Sequence, residues 1–200
     1  MIVEFAISMV LLLVLTLGFV DFGYALYQWN AATKAVEIGA RMASISTPVA
    51  PEIAAAGVAT TPGNPIPVGN YDYLCNGATS TCSCVGSGCV AGTFTAANFN
   101  RIFRGDAAGA GICPTRAASE RPGMCQFFSR LQPANVLIRY TATGLGYQTR
   151  TSGSVPTITV SLQNMTFQFF FLGGLLGFAD ITMPSMLSTV TGEDMKSTAP

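Results

Sequence analysis

One long apolar run near the start of the chain constrains its fold more than any other feature. Residues 5–20, FAISMVLLLVLTLGFV, carry no charge; Asp21 follows, and FGYALYQW then continues the apolar character to Trp29. A bilayer core of about 30 Å needs about 20 residues of helix, so the run as far as Trp29 is long enough to cross a membrane with some tilt. Its aromatic residues at the far end are typical of a membrane interface. We therefore predict a membrane-spanning helix over residues 2–29.

The helical pattern continues beyond this span. Residues 30–45, NAATKAVEIGARMASI, place small and apolar side chains at spacings of three and four. Ala35, Gly39 and Ala43 form a small-xxx-small series that permits close helix approach. We expect one helix from about residue 2 to about residue 45, with a length of more than about 60 Å. A cleavable secretory signal is the alternative, but no basic residue precedes the apolar run and the sequence after it favours helix over a cleavage loop.

Two acidic residues of this helix need an explanation. Glu4 and Asp21 would each cost about 2.5 kcal/mol or more at the centre of a bilayer. An interfacial position, where water still reaches the carboxylate, is one explanation for both. For Glu4 a functional role is the stronger hypothesis, because it lies beside the chain's amine and can neutralise an ammonium group on a neighbouring chain.

Composition excludes several classes of function. Ten acidic residues balance ten basic ones, only 10% of the residues are charged, and histidine is absent. A nucleic-acid binder normally has a positive surplus. Without histidine, Ser-His-Asp catalysis and His-ligated metals are impossible. We predict no enzyme activity, no cofactor and no metal. Residues 101–150 hold seven arginines against two acids, a surplus of five positive charges, which indicates either a solvated face or a partner- or lipid-binding surface.

Three short motifs in the helical region resemble the TadE-like family, the pilin-like proteins of the tight-adherence pilus system. The matching residues are Val3-Glu4-Phe5-Ala6, Val20-Asp21-Phe22-Gly23 and Gly39-Ala40-Arg41. The resemblance implies a structural role as a minor pilin or pseudopilin in pilus biogenesis. The alternatives are a filament-forming major subunit of the same class, or a single-pass anchored periplasmic binding or redox protein.

The resemblance also implies partners and a location. The partners are other pilin-like subunits in a homo- or hetero-oligomer, the pilus assembly machinery, the lipid bilayer, and a prepilin peptidase that cuts a leader after a glycine. The location is the bacterial inner membrane, with the C-terminal domain outside the cytoplasm, or an extracellular pilus. The positions that we expect to serve assembly are Glu4, Phe5, Asp21, Gly23, Ala35, Gly39 and Ala43.

Six cysteines independently favour an oxidising compartment. An even number in a low-charge, Gly/Ser/Thr-rich region is typical of disulfides. The sequence does not fix the pairing; we favour bridges within 75–89 and a separate bridge between Cys113 and Cys125. A four-thiolate zinc site within 75–89 and a redox motif remain alternatives, but the spacing matches neither. The cysteines are Cys75, Cys82, Cys84, Cys89, Cys113 and Cys125.

The remainder of the chain predicts an α+β fold, with residues 1–47 as the helix and 48–200 as a small antiparallel β-rich domain. Alternation of apolar and polar residues predicts strands over 134–142 and 156–171 that form a hairpin, and a third strand over 181–190. Short helices are expected over 96–103 and 125–131, and loops over 49–70 and 76–95. The uncharged run 169–179, FFFLGGLLGFA, is too short to span a bilayer. It predicts either a buried strand and turn packed on the helix, or a loop that enters the bilayer surface or contacts a neighbouring subunit.

Overall fold

A computed structural model describes residues 2–56, 64–144, 155–171, 173–174, 181–192 and 195. The chain forms one long helix and a five-stranded antiparallel sheet with three disulfides, which confirms the predicted α+β class. The helices are α1 (Ile2–Ile45) and α2 (Ala96–Arg104), and the strands are β1 (Asp72–Asn76), β2 (Thr81–Val85), β3 (Val136–Thr141), β4 (Thr157–Leu162) and β5 (Leu187–Thr191).

The chain divides into two compact units. The first contains Met1–Ala31 and Asn164–Pro184, and the second contains Ala32–Gln163 and Ser185–Pro200. Helix α1 therefore contributes its N-terminal two-thirds to the first unit and its last turns to the second. The division of the chain after residue 47 remains a sequence-based prediction.

The sheet of the second unit has the strand order β2-β1-β3-β4-β5. Strands β3 and β4 pair antiparallel with Ile138 opposite Val160, as the alternation predicts; the connection over 145–154 lies outside the described residues. Alternate residues of β3 are buried, so one face of the sheet belongs to the core. Tyr140 is fully buried on that face, and its hydroxyl accepts a hydrogen bond from the Val49 N–H at 3.2 Å. This burial raises the pKa of Tyr140.

Three sequence-based predictions are wrong in extent. The stretch 76–95, predicted as a loop for its lack of large apolar residues, contains β2, in which the small side chain of Cys82 is buried. The predicted helix over 125–131 is only a 3₁₀ turn at Met124–Gln126. The predicted strand 156–171 ends at Leu162.

The other predictions agree better. Helix α2 matches the predicted helix over 96–103 and buries Phe99, Ile102 and Phe103. Strand β5 covers the second half of the region predicted for a third strand. The small apolar stripe in the last turns of α1 is buried in the second unit at Ala32, Ala35, Val36, Ala40 and Ala43.

Candidate functional site

The N-terminal part of α1 exposes nearly all its apolar side chains. No described side chain between residues 3 and 20 is buried. Phe5, Leu12 and Phe19 are 71%, 66% and 69% exposed. By length and composition this helix is able to cross a membrane. A helix that is apolar on every side needs either lipid or other protein around it.

Asp21 is the first buried residue along this helix. Its carboxylate has no solvent exposure. One carboxylate oxygen accepts a hydrogen bond from the N–H of Phe170 at 2.8 Å, and the other accepts one from the N–H of Phe171 at 2.9 Å. The explanation that water reaches Asp21 is therefore wrong. The N–H groups of Phe170 and Phe171, which are distant in sequence, take the place of water at its carboxylate.

Gln28 holds the same part of the chain two helical turns further along. Seven residues separate it from Asp21, so both side chains lie on one face of the helix. The Gln28 side-chain amide donates to the Gln168 carbonyl at 2.9 Å and accepts from the Gln168 N–H at 3.0 Å. Between the two polar side chains, the ring of Tyr24 lies against that of Phe170, with centroids 4.6 Å apart. We call residues 167–171 the aromatic segment.

A second stretch of chain pairs with the aromatic segment on its other side. The N–H of Phe167 donates to the Ile181 carbonyl at 2.8 Å. Thr166 and Thr182 form an antiparallel bridge, and the Met183 N–H donates to the Met165 carbonyl at 2.7 Å. Residues 169–171 therefore lie on the helix, as one alternative predicted, but they form no strand, and Phe170 and Phe171 are exposed rather than buried. Residues 172 and 175–179 lie outside the described residues.

The helix and the aromatic segment enclose an apolar groove of about 380 Å³. The ring of Trp29 stacks on that of Phe167, with centroids 6.3 Å apart. Every side chain that lines the groove is apolar or aromatic. The lining residues are Phe22, Ala25, Leu26, Trp29, Phe167, Phe169 and Ile181.

Apart from the buried Asp21, the expected assembly positions fall into two groups of three. Glu4, Phe5 and Gly23 lie on exposed parts of α1, and a Cβ added at Gly23 would meet no atom within 4 Å. Each of these three positions is accessible to a neighbouring molecule.

The small-residue series belongs to the second group. Ala35 and Ala43 have no solvent exposure within the chain itself. A Cβ added at Gly39 would lie 2.6 Å from the Met124 sulfur. The close approach that these small residues permit therefore serves packing within the second unit.

All six cysteines lie in the described part of the chain and form disulfides, in the grouping that we favoured. Cys75 and Cys82 are directly opposite each other on β1 and β2, so their bridge ties adjacent strands together. The remaining bridges join Cys84 to Cys89 and Cys113 to Cys125. No thiolate is left for the alternative zinc site.

Several residues of the arginine-rich stretch form local ion pairs. Arg121 and Arg101 approach the Asp106 carboxylate at 2.7 and 3.2 Å. The hydrogen bonds from the Arg121 side chain hold the pKa of Asp106 below its ordinary value. Arg139 pairs with Asp72 on the neighbouring strand. These arginines stabilise the fold locally, which favours the solvated face over a recognition surface.

Sequence reasoning missed the link between Asp21, Gln28 and the aromatic segment. The available signal was a pair of polar side chains seven residues apart in an apolar helix. Such a pair predicts one polar face, but it does not reveal which part of the chain the face contacts.

The similarity of this chain to known proteins lies in the helical region. No curated protein and no solved structure matches the chain. Residues 1–41 match the family model described as TadE-like protein, which confirms the resemblance that the three sequence motifs indicated.

Proposed function

We propose that this chain is a minor pilin or pseudopilin that takes part in the biogenesis of a tight-adherence pilus. The match over residues 1–41 indicates a pilin-like, pilus-associated protein. The observation that carries the proposal is that the same region forms an apolar helix, and the described part of the chain buries none of its side chains from residue 3 to residue 20. Burial of apolar surface is the main driving force for association, so this helix requires an apolar environment.

The proposed mechanism uses that helix twice. Before assembly, α1 anchors the chain in the inner membrane, with the sheet domain outside the cytoplasm. During assembly, the helix leaves the bilayer and packs against the helices of neighbouring subunits. The three disulfides support an outer location, because such bridges persist in oxidising compartments. A prepilin peptidase and the pilus assembly machinery are the partners that the family resemblance adds.

Glu4, Phe5 and Gly23 form the contact surface in this proposal. Glu4 lies in the first turn of α1 and is exposed. A carboxylate at this place can neutralise an ammonium group of a neighbouring subunit as the helix enters an apolar bundle, where an unpaired charge is costly. Phe5 provides exposed apolar surface, and Gly23 permits close approach of a second helix.

A major, filament-forming subunit is the alternative within the same class. An anchored periplasmic binding or redox protein has less support. All six cysteines form disulfides, and arginines that a binding face would use are engaged in ion pairs within the chain.

The test replaces Glu4 in a strain that makes the pilus. We expect Glu4→Gln to enter the membrane fraction like the wild-type chain but to fail to co-purify with other pilus subunits and to reduce the number of pili. Glu37→Gln is the matched control, because it removes another exposed carboxylate of α1 that lies outside the apolar run. Unchanged piliation with Glu4→Gln would contradict the role of Glu4, and a wild-type chain found only in the soluble fraction would contradict the anchor.

A further inference from the structure

We propose that the aromatic segment is a second membrane-inserted element, which contacts lipid acyl chains beside the point where α1 leaves the bilayer. This inference rests on the proposed membrane anchor and extends it from one helix to a helix with an attached segment. Asp21 and Gln28 are the positioning residues that hold the segment on the helix.

The backbone of the aromatic segment is neither helix nor strand, but most of its N–H groups have partners. A chain that is neither helix nor closed sheet tolerates hydrocarbon only where its N–H and C=O groups find partners in protein. Here the N–H groups of Phe170 and Phe171 donate to Asp21, and both backbone groups of Gln168 pair with Gln28. The Phe167 N–H donates to a carbonyl of the pairing stretch. These contacts give partners to four of the five N–H groups of the segment and to the Gln168 carbonyl, which lowers the cost of placing this irregular segment in lipid.

The side chains of the segment are exposed where its backbone is held by the helix. The N–H groups of Phe170 and Phe171 donate to Asp21, whereas the two side chains are 62% and 41% exposed. Ile181, on the pairing stretch, is 53% exposed. Exposed phenyl rings beside paired N–H groups form a surface that is costly in water and favourable in lipid.

Charged residues are sparse in the sequence on both sides of this contact. The sequence has no charged residue between Arg150 and Asp180, and Asp21 is the only charged residue between Glu4 and Lys34. The groove is lined without polar side chains and continues the exposed apolar surface of α1. Among the described residues, apolar surface therefore extends from α1 through the groove to the aromatic segment.

The expected depth of the Phe170 and Phe171 rings in the bilayer agrees with contact to lipid acyl chains. Val3 and Asp21 are 18 residues apart, which corresponds to about 27 Å along a helix. The hydrocarbon core is about 30 Å thick. If the helix enters the core near Val3, the Phe170 and Phe171 rings lie at its far boundary, and Trp29 lies in the interfacial layer that favours aromatic side chains.

The test uses tryptophan fluorescence of the full chain in vesicles. Trp29 is the only tryptophan, so Trp29→Phe provides a background without tryptophan emission. Phe170→Trp, Leu12→Trp and Val85→Trp are then made singly in that background. Leu12 reports the helix, and Val85 is an exposed apolar residue of the second unit, 72% accessible. The vesicles contain phosphatidylethanolamine and phosphatidylglycerol, with or without acyl chains brominated near carbons six and seven.

We expect brominated acyl chains to quench the Phe170→Trp probe strongly, as they quench the Leu12→Trp probe, and unlike the Val85→Trp probe. We expect aqueous acrylamide to quench the Phe170→Trp probe weakly. If Leu12→Trp is quenched but Phe170→Trp behaves like Val85→Trp, the inference is wrong and the anchor stands. If Leu12→Trp is not quenched either, both fail. Protection of Phe170→Trp from both quenchers would also overturn the inference, because protein, such as a second copy of the chain, would then cover the segment.

The positioning role has its own readout. Adding Asp21→Ala to the Phe170→Trp protein is expected to decrease quenching by brominated chains and to increase quenching by acrylamide, with the Leu12→Trp probe unchanged. An unchanged Phe170→Trp probe would show that Asp21 does not hold the segment at its depth.

Discussion

Replacement of Asp21 by alanine tests the central contact of the first unit. The side chain is fully buried and accepts two hydrogen bonds, at 2.8 and 2.9 Å, from the adjacent N–H groups of Phe170 and Phe171. A hydrogen bond to a charged group contributes about 1.5–3 kcal/mol. The two bonds share one carboxylate and adjacent donors, so their energies are not additive, and about 3 kcal/mol is a reasonable value for the pair.

The effect is local, because the two bonds join the aromatic segment to the helix without passing through the sheet. A loss of about 3 kcal/mol corresponds to an increase of about a hundredfold in the opening equilibrium of the segment, since each 1.4 kcal/mol is a factor of ten. Hydrogen exchange measures that equilibrium directly. We expect the amides of Phe170 and Phe171 to exchange about a hundredfold faster in Asp21→Ala than in the wild-type chain, and Asp21→Asn, which keeps one oxygen acceptor, to lie between them.

Mass spectrometry of the protein in lipid nanodiscs, with a peptide that covers the aromatic segment, is the assay. Asp72→Ala is the control, because it removes an acid that pairs with Arg139 in the sheet and should leave exchange in the segment unchanged. If the segment exchanges at the wild-type rate in Asp21→Ala, the Asp21 carboxylate does not hold it on the helix. That result would refute the energy assigned to the two hydrogen bonds.

Three further predictions concern the second unit. Gly39→Val should lower the free energy of unfolding by about 1–3 kcal/mol, because the valine side chain would overlap the buried Met124. Gly23→Val is the control, because a Cβ there meets no atom within 4 Å. Thermal unfolding followed by near-ultraviolet circular dichroism measures both, and equal melting temperatures for the two variants would contradict the prediction. Replacement of both Cys113 and Cys125 by serine should lower the free energy of unfolding by about 3 kcal/mol, because the bridge no longer restricts the unfolded chain. Urea unfolding measures this, and an unchanged urea midpoint would contradict it. The lowered pKa of Asp106 means that its pair with Arg121 stabilises the fold fully above about pH 4 and is lost as the pH falls through the folded pKa. Asp106→Asn should therefore flatten the acid limb of the urea midpoint against pH, and an equally steep limb would show that this pair does not contribute.

The sequence by itself determined the parts of this protein that depend on local pattern. An uncharged run followed by small residues at spacings of three and four is sufficient to specify a helix of the observed length. Alternation in β3 and β4 specified which side chains face the core, because strand geometry alone places alternate residues on opposite faces. The cysteine count and grouping indicated disulfides.

Only the tertiary structure decided how the polar residues of the helix are used. Asp21 and Phe170 are 149 residues apart, and no local pattern encodes a contact over that separation. The burial of Ala35 and Ala43 in the second unit is likewise a consequence of topology. Local periodicity fixes which face of a helix is apolar or polar, whereas the partner of that face depends on where the rest of the chain returns, and that is set by the free energy of the whole fold.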